Sequence, residues 1–520
     1  VGAAVTARTQ LAALFFAYLC AVARVQAQPA EWWLRSPADQ VMAAAEDIQK
    51  YPPEIAQYIR YLDLAQLTPK QRGELYVVYC GHLQHLSTRT SITNAKPVLG
   101  NGGSLLRINA LDYGKSFAGA WENLKEFDPY FHQRFKTTAD VQTKKSYYWP
   151  GGKGDDGEEY PAGTYYRTVT IKKNTVTNLP APWLSPTPSH KAALTKLYAL
   201  SKSEIPIVHA DWFLWQTAIQ EDRGPAGYYD FLGVKDQASY EKIIGFSQKV
   251  FDGIGKVELR AAVGISGVTL QPRAIARFGA VDSPYWKTFD FRLATGDKNP
   301  LQVLGKDIEK DFDASETFGV LPNGFWITGL FNKKGEVVNS APPDIAGNHL
   351  ARGNDKRVHV NLSCIECHSN AGLQDFSDWI KHMVTPPPAN QLIGLDYEDL
   401  LLKRDQYLRQ LKPFLSKDRI TYTEAVREAT GMKPPEYAKA YADAWYSYDQ
   451  AQVNLAWVSR DLGIPEKELR TILGSMVSTW KGDLVLTALL KDDGTHLPIR
   501  QYHESLGRIM EAAVSYARKK

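Results

Sequence analysis

Between Asp39 and Gln66 the apolar residues Val41, Met42, Ile48, Ile55, Ile59, Leu62 and Leu64 recur at helical spacing, which predicts helix through this stretch. Thr68-Pro69, a capping residue followed by proline in the first turn, opens a second helix running to about Leu86. A turn at Asn101-Gly102-Gly103 leads into a strand over 104–109, and Phe117 to Phe127 returns to helix. The pattern changes between Thr137 and Ser189. Trp149-Pro150-Gly151-Gly152 and the acidic Asp155, Asp156, Glu158 and Glu159 read as an exposed loop, Tyr165 to Ile171 as a β-branched strand, and prolines 180, 182, 186 and 188 as a linker. Helix is expected again over 191–203. Residues 255–345 read as β-rich, with a hairpin whose strands are Gly324 to Phe331 and Glu336 to Val338 about the turn Asn332-Lys333-Lys334-Gly335. Val358 to Leu362 reads as a strand, and Asp375 to Met383 as a short helix that Pro386-Pro387-Pro388 stops. From Tyr397 the period is helical nearly to the end: 397–415, 423–430, 435–462, 465–473 and a last helix through Ile509. The expected class is α+β and multidomain, mainly helical with a β-rich middle.

A chain of 520 residues exceeds one core. The pattern divides it into a leader over 1–27, a mixed region over 28–190 with the loop insertion, an α+β region over 191–350, a segment over 351–395 and a helical region over 396–520. Hydrophobic content of 44% and charged content of 23% are those of ordinary globular protein, enough to build real cores. Residues 1–27 have the order of a secretory signal: Arg8, the apolar run Leu11 to Val22, then Val25-Gln26-Ala27 as a small-residue cleavage site before Gln28. Loss of Arg8 and Arg24 with that leader lowers the net charge from +4 to +2 (4 − 2), which argues against nucleic acid or an acidic membrane surface as the main partner. No later run is apolar for long enough to span a bilayer, so a periplasmic or secreted location is expected. Of four cysteines, Cys20 would leave with the leader, and Cys80 in the apolar run 75–79 reads as a buried, inert thiol. No disulfide framework remains.

The other two cysteines carry the chemistry. Ser363-Cys364-Ile365-Glu366-Cys367-His368 contains C-x-x-C-H, the attachment pattern of a c-type haem. Each thiol adds to one vinyl group of the porphyrin, and the adjacent imidazole then reaches the iron. Cys364 and Cys367 are therefore the thioether candidates and His368 the proximal iron ligand of one covalent haem c. A structural zinc site needs four ligands and no second CxxC exists; a thioredoxin-like pair needs a βαβ pattern that the flanks do not show. The sixth iron position decides between carrier and enzyme. Met432 in Gly431-Met432-Lys433-Pro434, Met383, a histidine (His349, His359 or His382) and an open position are the alternatives. Elsewhere, His209 and Asp211 lie in the apolar run 205–215 and need partners if buried, or else serve a site near haem or ligand. His82 and His85 share a helix face and read as a polar edge.

With these stretches in view, the chain resembles the large secreted c-type cytochrome domain proteins of planctomycete-type bacteria. The resemblance touches Arg60-Tyr61-Leu62, Leu105 to Asn109 with Tyr113-Gly114, Ala210 to Phe213, Leu321 to Gly324, Val360 to His368 and Asp461 to Pro465. It implies an exported protein with a single haem whose reaction its family name does not specify. The leading expectation is periplasmic electron transfer to a redox partner protein, the large N-terminal region docking that partner or binding a small-molecule ligand. A peroxidase-like haem enzyme with His209 or Asp211 as distal acid or base, and a haem-containing binding or sensor protein, are the alternatives.

Overall fold

In the computed structural model the described residues are 37–98, 100–129, 142–149, 152–153, 159–160, 163–170, 188–221, 226–247, 259–263, 268–269, 273–279, 284–292, 312–341, 346–348, 351–352, 355–370, 372–373, 397–479, 484–491 and 496–519. The expected leader over 1–27, most of the expected loop (150–151 and 154–158), the expected proline linker before Pro188, the expected helix 375–383, Pro386 to Pro388, His349, His382 and Met383 lie outside them.

The class is α+β, helices surrounding several small sheets. Helical spacing between Asp39 and Gln66 holds only for Pro37–Ile48 and the short Pro53–Ala56. Ile59–Asp63 is instead a strand, buried at every position and central in a sheet that also holds Lys96–Pro97, Leu105–Asn109 and Ile207–His209. A strand covered on both faces has no polar alternation, so its apolar residues imitate a helical period. The next expectation is met: Thr68 caps Pro69–His85 through a capping box with Gln71.

The β-rich middle is an antiparallel meander in the order Trp326–Asn332, Ala314–Val320, Tyr285–Phe289, Arg273–Phe278, Leu259–Val263. The turn between the first two uses Gly324 at φ +87°, with its N–H donating to Leu321 O at 2.8 Å. The expected return after Gly335 is present as the Phe331 to Val337 bridge.

C-terminally, Tyr397–Thr430 is one continuous helix, where two helices with a break between 415 and 423 were expected. The expected helix 435–462 is divided into Pro434–Asp449 and Leu455–Leu462 by the strand Gln452–Val453, which pairs with Leu497–Pro498. Helix Pro69–His85 packs on Tyr397–Thr430 and Pro434–Asp449. One continuous core runs from Leu62 to Ala513 and takes in Cys364 and Ile365. The meander is fastened to the long helix by Asp418, which accepts from Arg277 Nη2 at 3.0 Å and from Trp286 Nε1 at 2.7 Å. Among the described residues no helix is long and apolar enough to cross a membrane.

Candidate haem-attachment site

Where the sequence suggests a strand from Val358 to Leu362, only Val358–His359 is one, paired with Ser340–Ala341; the chain then turns at Asn361 into the helix Leu362–Cys367. Asn361 has φ +65° and ψ −67°, a backbone state that costs a residue with a side chain on the order of 1–3 kcal/mol and persists only where the surroundings enforce it. Its N–H donates to Thr328 Oγ1 at 3.1 Å and its Nδ2 to Ala218 O at 2.8 Å. The helix it starts is also held at Ser363, whose Oγ accepts from Asn348 Nδ2 and from the His359 N–H. A further tie runs to Glu366, which accepts from Tyr446 OH.

Three residues apart on this helix, Cys364 and Cys367 share a face, and His368 follows as its C-cap. The His368 Nδ1–H donates to Gly372 O at 3.1 Å. A carbonyl only accepts, so the proton lies on Nδ1 and Nε2 carries the lone pair, the tautomer a metal ligand requires. Gly372 is suited to this position twice over. Its φ is +104°, and an added Cβ would stand 2.5 Å from Trp326 Cζ2. Phe318 lies beside the imidazole at 4.4 Å between ring centroids.

The sheet side of the site is ionic. Glu316 stands 3.7 Å from Cys364 Sγ and accepts from Arg273 Nη1 at 3.2 Å, while Arg273 Nε pairs with Asp290 at 2.8 Å. Thr288 Oγ1 donates to Asp290 at 2.9 Å. Two carboxylates against one guanidinium give this buried group a formal excess of negative charge. Burial, outweighing Arg273, pushes the Asp290 carboxyl up to about 6. Burial and the neighbouring Glu316 push the Cys367 thiol up to about 11, and the same causes raise Cys364 well above the usual thiol range. Burial thus favours the protonated thiol over the metal-binding thiolate at both positions. Burial also lowers the His368 imidazole, keeping it neutral and able to ligate. A small pocket beside this ionic group is lined by Arg273, Asp290, Ser315, Glu316, Phe331 and Val358.

No family model, curated protein or solved structure matches the chain. The functional reading therefore rests on this geometry and on the sequence.

A c-type haem fits the donor set: two thiols on one helical face and a neutral imidazole whose Nδ1 is already committed. Bound there, it would supply an iron that accepts and returns one electron. The acceptor on His368 Nδ1 is the backbone carbonyl of Gly372, four residues on.

The other sequence candidates fall in separate places. Met432 sits half-buried in the turn after the long helix, its N–H donating to Thr430 Oγ1 at 3.1 Å. His359 Nε2 is engaged by Asp355 Oδ2 at 3.0 Å. His209 starts the helix Ala210–Thr217 and lies across from Asp63 in parallel pairing. Burial alone would depress its imidazole, but Asp63, Asp461, Asp211 and Asp128 outweigh it and hold the pKa above the ordinary value. Burial raises Asp211 in turn. Just beyond this stretch, Ala218 O accepts from Asn361, which starts the helix Leu362–Cys367.

His82 and His85 are not a polar edge. Both are buried, because the second half of their helix is covered by Tyr397–Thr430, Pro434–Asp449 and Ala210–Thr217. Tyr437 reaches their helix at Gly81, where an added Cβ would stand 2.4 Å from its ring. Sequence reading missed Asn361, Tyr441 and Gly372. Only Gly372 left a local signal, a glycine shortly after His368.

Proposed function

We propose that the chain is an exported monohaem c-type cytochrome that passes electrons to and from a redox partner protein. Cys364 and Cys367 carry the thioethers and His368 ligates the iron through Nε2. The observation that carries the reading is the His368 Nδ1–H bond to Gly372 O at 3.1 Å, directly after two thiols on one helical face. That hydrogen bond fixes ring orientation as well as tautomer and strengthens the imidazole as a ligand. The chain's own residues hold His368 through Gly372 and shield it with Phe318, while the ionic group at Arg273 sets the local field.

Denaturing gel electrophoresis with peroxidase-activity staining tests the assignment. Haem staining should stay on the polypeptide and vanish when Cys364→Ala and Cys367→Ala are combined; a stain indifferent to that double change would overturn it. The electronic spectrum of the purified protein then separates carrier from enzyme. Sharp low-spin bands on reduction are expected, whereas a high-spin spectrum shifted by cyanide or carbon monoxide would replace electron transfer with chemistry at an open iron position.

A further inference from the structure

Asn361 has a second tie besides the carbonyl of Ala218, and it leads into a buried hydrogen-bond chain crossing three helices. Asn361 Nδ2 also contacts Tyr441 OH at 3.1 Å, Tyr441 OH contacts His82 Nδ1 at 3.0 Å, and His82 Nε2 contacts Thr217 Oγ1 at 2.7 Å. Thr217 Oγ1 in turn contacts Phe213 O at 2.7 Å.

The two ends fix the direction of every bond between them. Phe213 O can only accept, so the single Thr217 hydroxyl proton is used there and Thr217 must accept from His82 Nε2–H. His82 Nδ1 is then a bare lone pair, which must accept from Tyr441 O–H. With its proton so used, Tyr441 accepts from Asn361 Nδ2. The orientation of the Asn361 amide is fixed independently, since Ala218 O also requires an N–H donor. All members are buried, and burial keeps His82 neutral, in agreement with this assignment.

We infer that Tyr441 and His82 are positioning residues for the haem-attachment helix, acting through Asn361. This rests on the haem reading above. Asn361 carries the strained backbone turn that aims the helix, and its carbonyl accepts the helix's first bond, from the Ile365 N–H at 2.8 Å. Its side chain does not cap that helix; it is held by the 210–218 segment and by Pro434–Asp449, while its N–H is held by strand Trp326–Asn332. The clamp therefore draws on elements that lie far apart in the chain. Part of the long region before the haem motif gains a role in this way, since His82, Thr217 and Ala218 all precede Asn361 and all bear on it.

The test uses the wild-type holoprotein and two variants. Tyr441→Phe deletes one hydroxyl at nearly constant shape. Asn361→Asp keeps a residue that tolerates positive φ but replaces the Nδ2 donor by an acceptor, so Tyr441 should donate to the new carboxylate and leave His82 Nδ1 without its proton donor. The readouts are amide hydrogen exchange at Ile365 and His368, the ¹⁵N shifts of the His82 ring, and the fraction of polypeptide carrying both thioethers by mass spectrometry. Wild type should show His82 protonated on Nε2 alone. In Tyr441→Phe, exchange at Ile365 should accelerate about fivefold beyond any change in the global unfolding equilibrium, as expected for one lost buried hydrogen bond. The doubly attached fraction should fall in both variants, and Asn361→Asp should move the His82 Nδ1 resonance. If Tyr441→Phe lowers global stability yet leaves Ile365 exchange at the rate that global unfolding sets and leaves thioether formation at the wild-type level, the residues are structural only and the inference is wrong. Absence of haem from the wild type would instead defeat the haem reading, so the two failures are distinguishable.

Discussion

The helix that carries Cys364 and Cys367 is held from two sides by different physics. Towards the meander stand Arg273, Asp290 and Glu316, a buried ion cluster in which one guanidinium holds two carboxylates. Towards Pro434–Asp449 stand Asn361, Tyr441 and His82, a neutral chain with its direction fixed at both ends. Ions act over distance and respond to pH, whereas neutral hydrogen bonds act over one contact and fix orientation. The difference suggests a division of labour: the neutral flank aims the helix, and the ionic flank sets the potential around it.

The largest effect should come from unbalancing the ionic flank. Arg273→Met leaves Asp290 and Glu316 buried against each other and should destabilise the fold by about 3–5 kcal/mol, measured by urea unfolding. Replacing all three by apolar or neutral partners (Arg273→Met, Asp290→Asn, Glu316→Gln) should recover much of that loss. A triple variant no more stable than Arg273→Met would show that the uncompensated carboxylates are not what destabilises the single variant.

Next in size is Gly372→Ala. It forces a side chain into positive φ and against the Trp326 indole, and should cost about 1–3 kcal/mol. Because Gly372 O is the acceptor for His368 Nδ1, the change should also weaken iron ligation, seen as loss of the low-spin spectrum at milder denaturant than global unfolding. Simultaneous loss of both signals would mean that this carbonyl does not govern the ligand.

The smallest effect is on pH dependence. Asp290 is pushed up to about 6 in the folded protein, against roughly 4 for an unperturbed carboxyl in the unfolded chain. Between those values the unfolded state releases its proton first, so Asp290 makes stability fall as pH rises from about 4 to about 6 and level off above. Asp290→Asn should remove that portion of the slope, and Tyr441→Phe should leave it intact. If Tyr441→Phe changed the slope equally, the two flanks would not be separable.

How much of this was legible in the sequence follows from how local each interaction is. The cap at Thr68 with Pro69 in the first turn and the turn at Asn332 to Gly335 each lie within a few residues, and both are found as expected. The CxxCH pattern is equally local, and its two cysteines fall on one short helix where a strand was expected to lead in. Ile59–Asp63 was misread because burial on both faces removes the alternation that marks a strand. Pro413 and Gly463 carry similar local signals with different outcomes: the helix runs through Pro413, whereas Gly463 adopts the left-handed C-cap expected of a stop. Of the neutral flank only His82 stands out in the sequence, where it reads as part of a polar edge. Tyr441 and His82 are 359 positions apart, and nothing in either neighbourhood names the other. Asn361 is hidden for another reason, since a positive φ on asparagine is chosen by the tertiary bonds that hold it.

The central claim is that His368 and its two thiols hold one covalent haem, and the most direct measurement is the intact mass of the exported protein under denaturing conditions. The account predicts a polypeptide heavier by one haem, with both Cys364 and Cys367 modified in the peptide that contains them, and one thioether remaining when either cysteine alone is replaced. A denatured chain at its unmodified mass, with both thiols free to alkylate after expression with an active haem-attachment system, would contradict it.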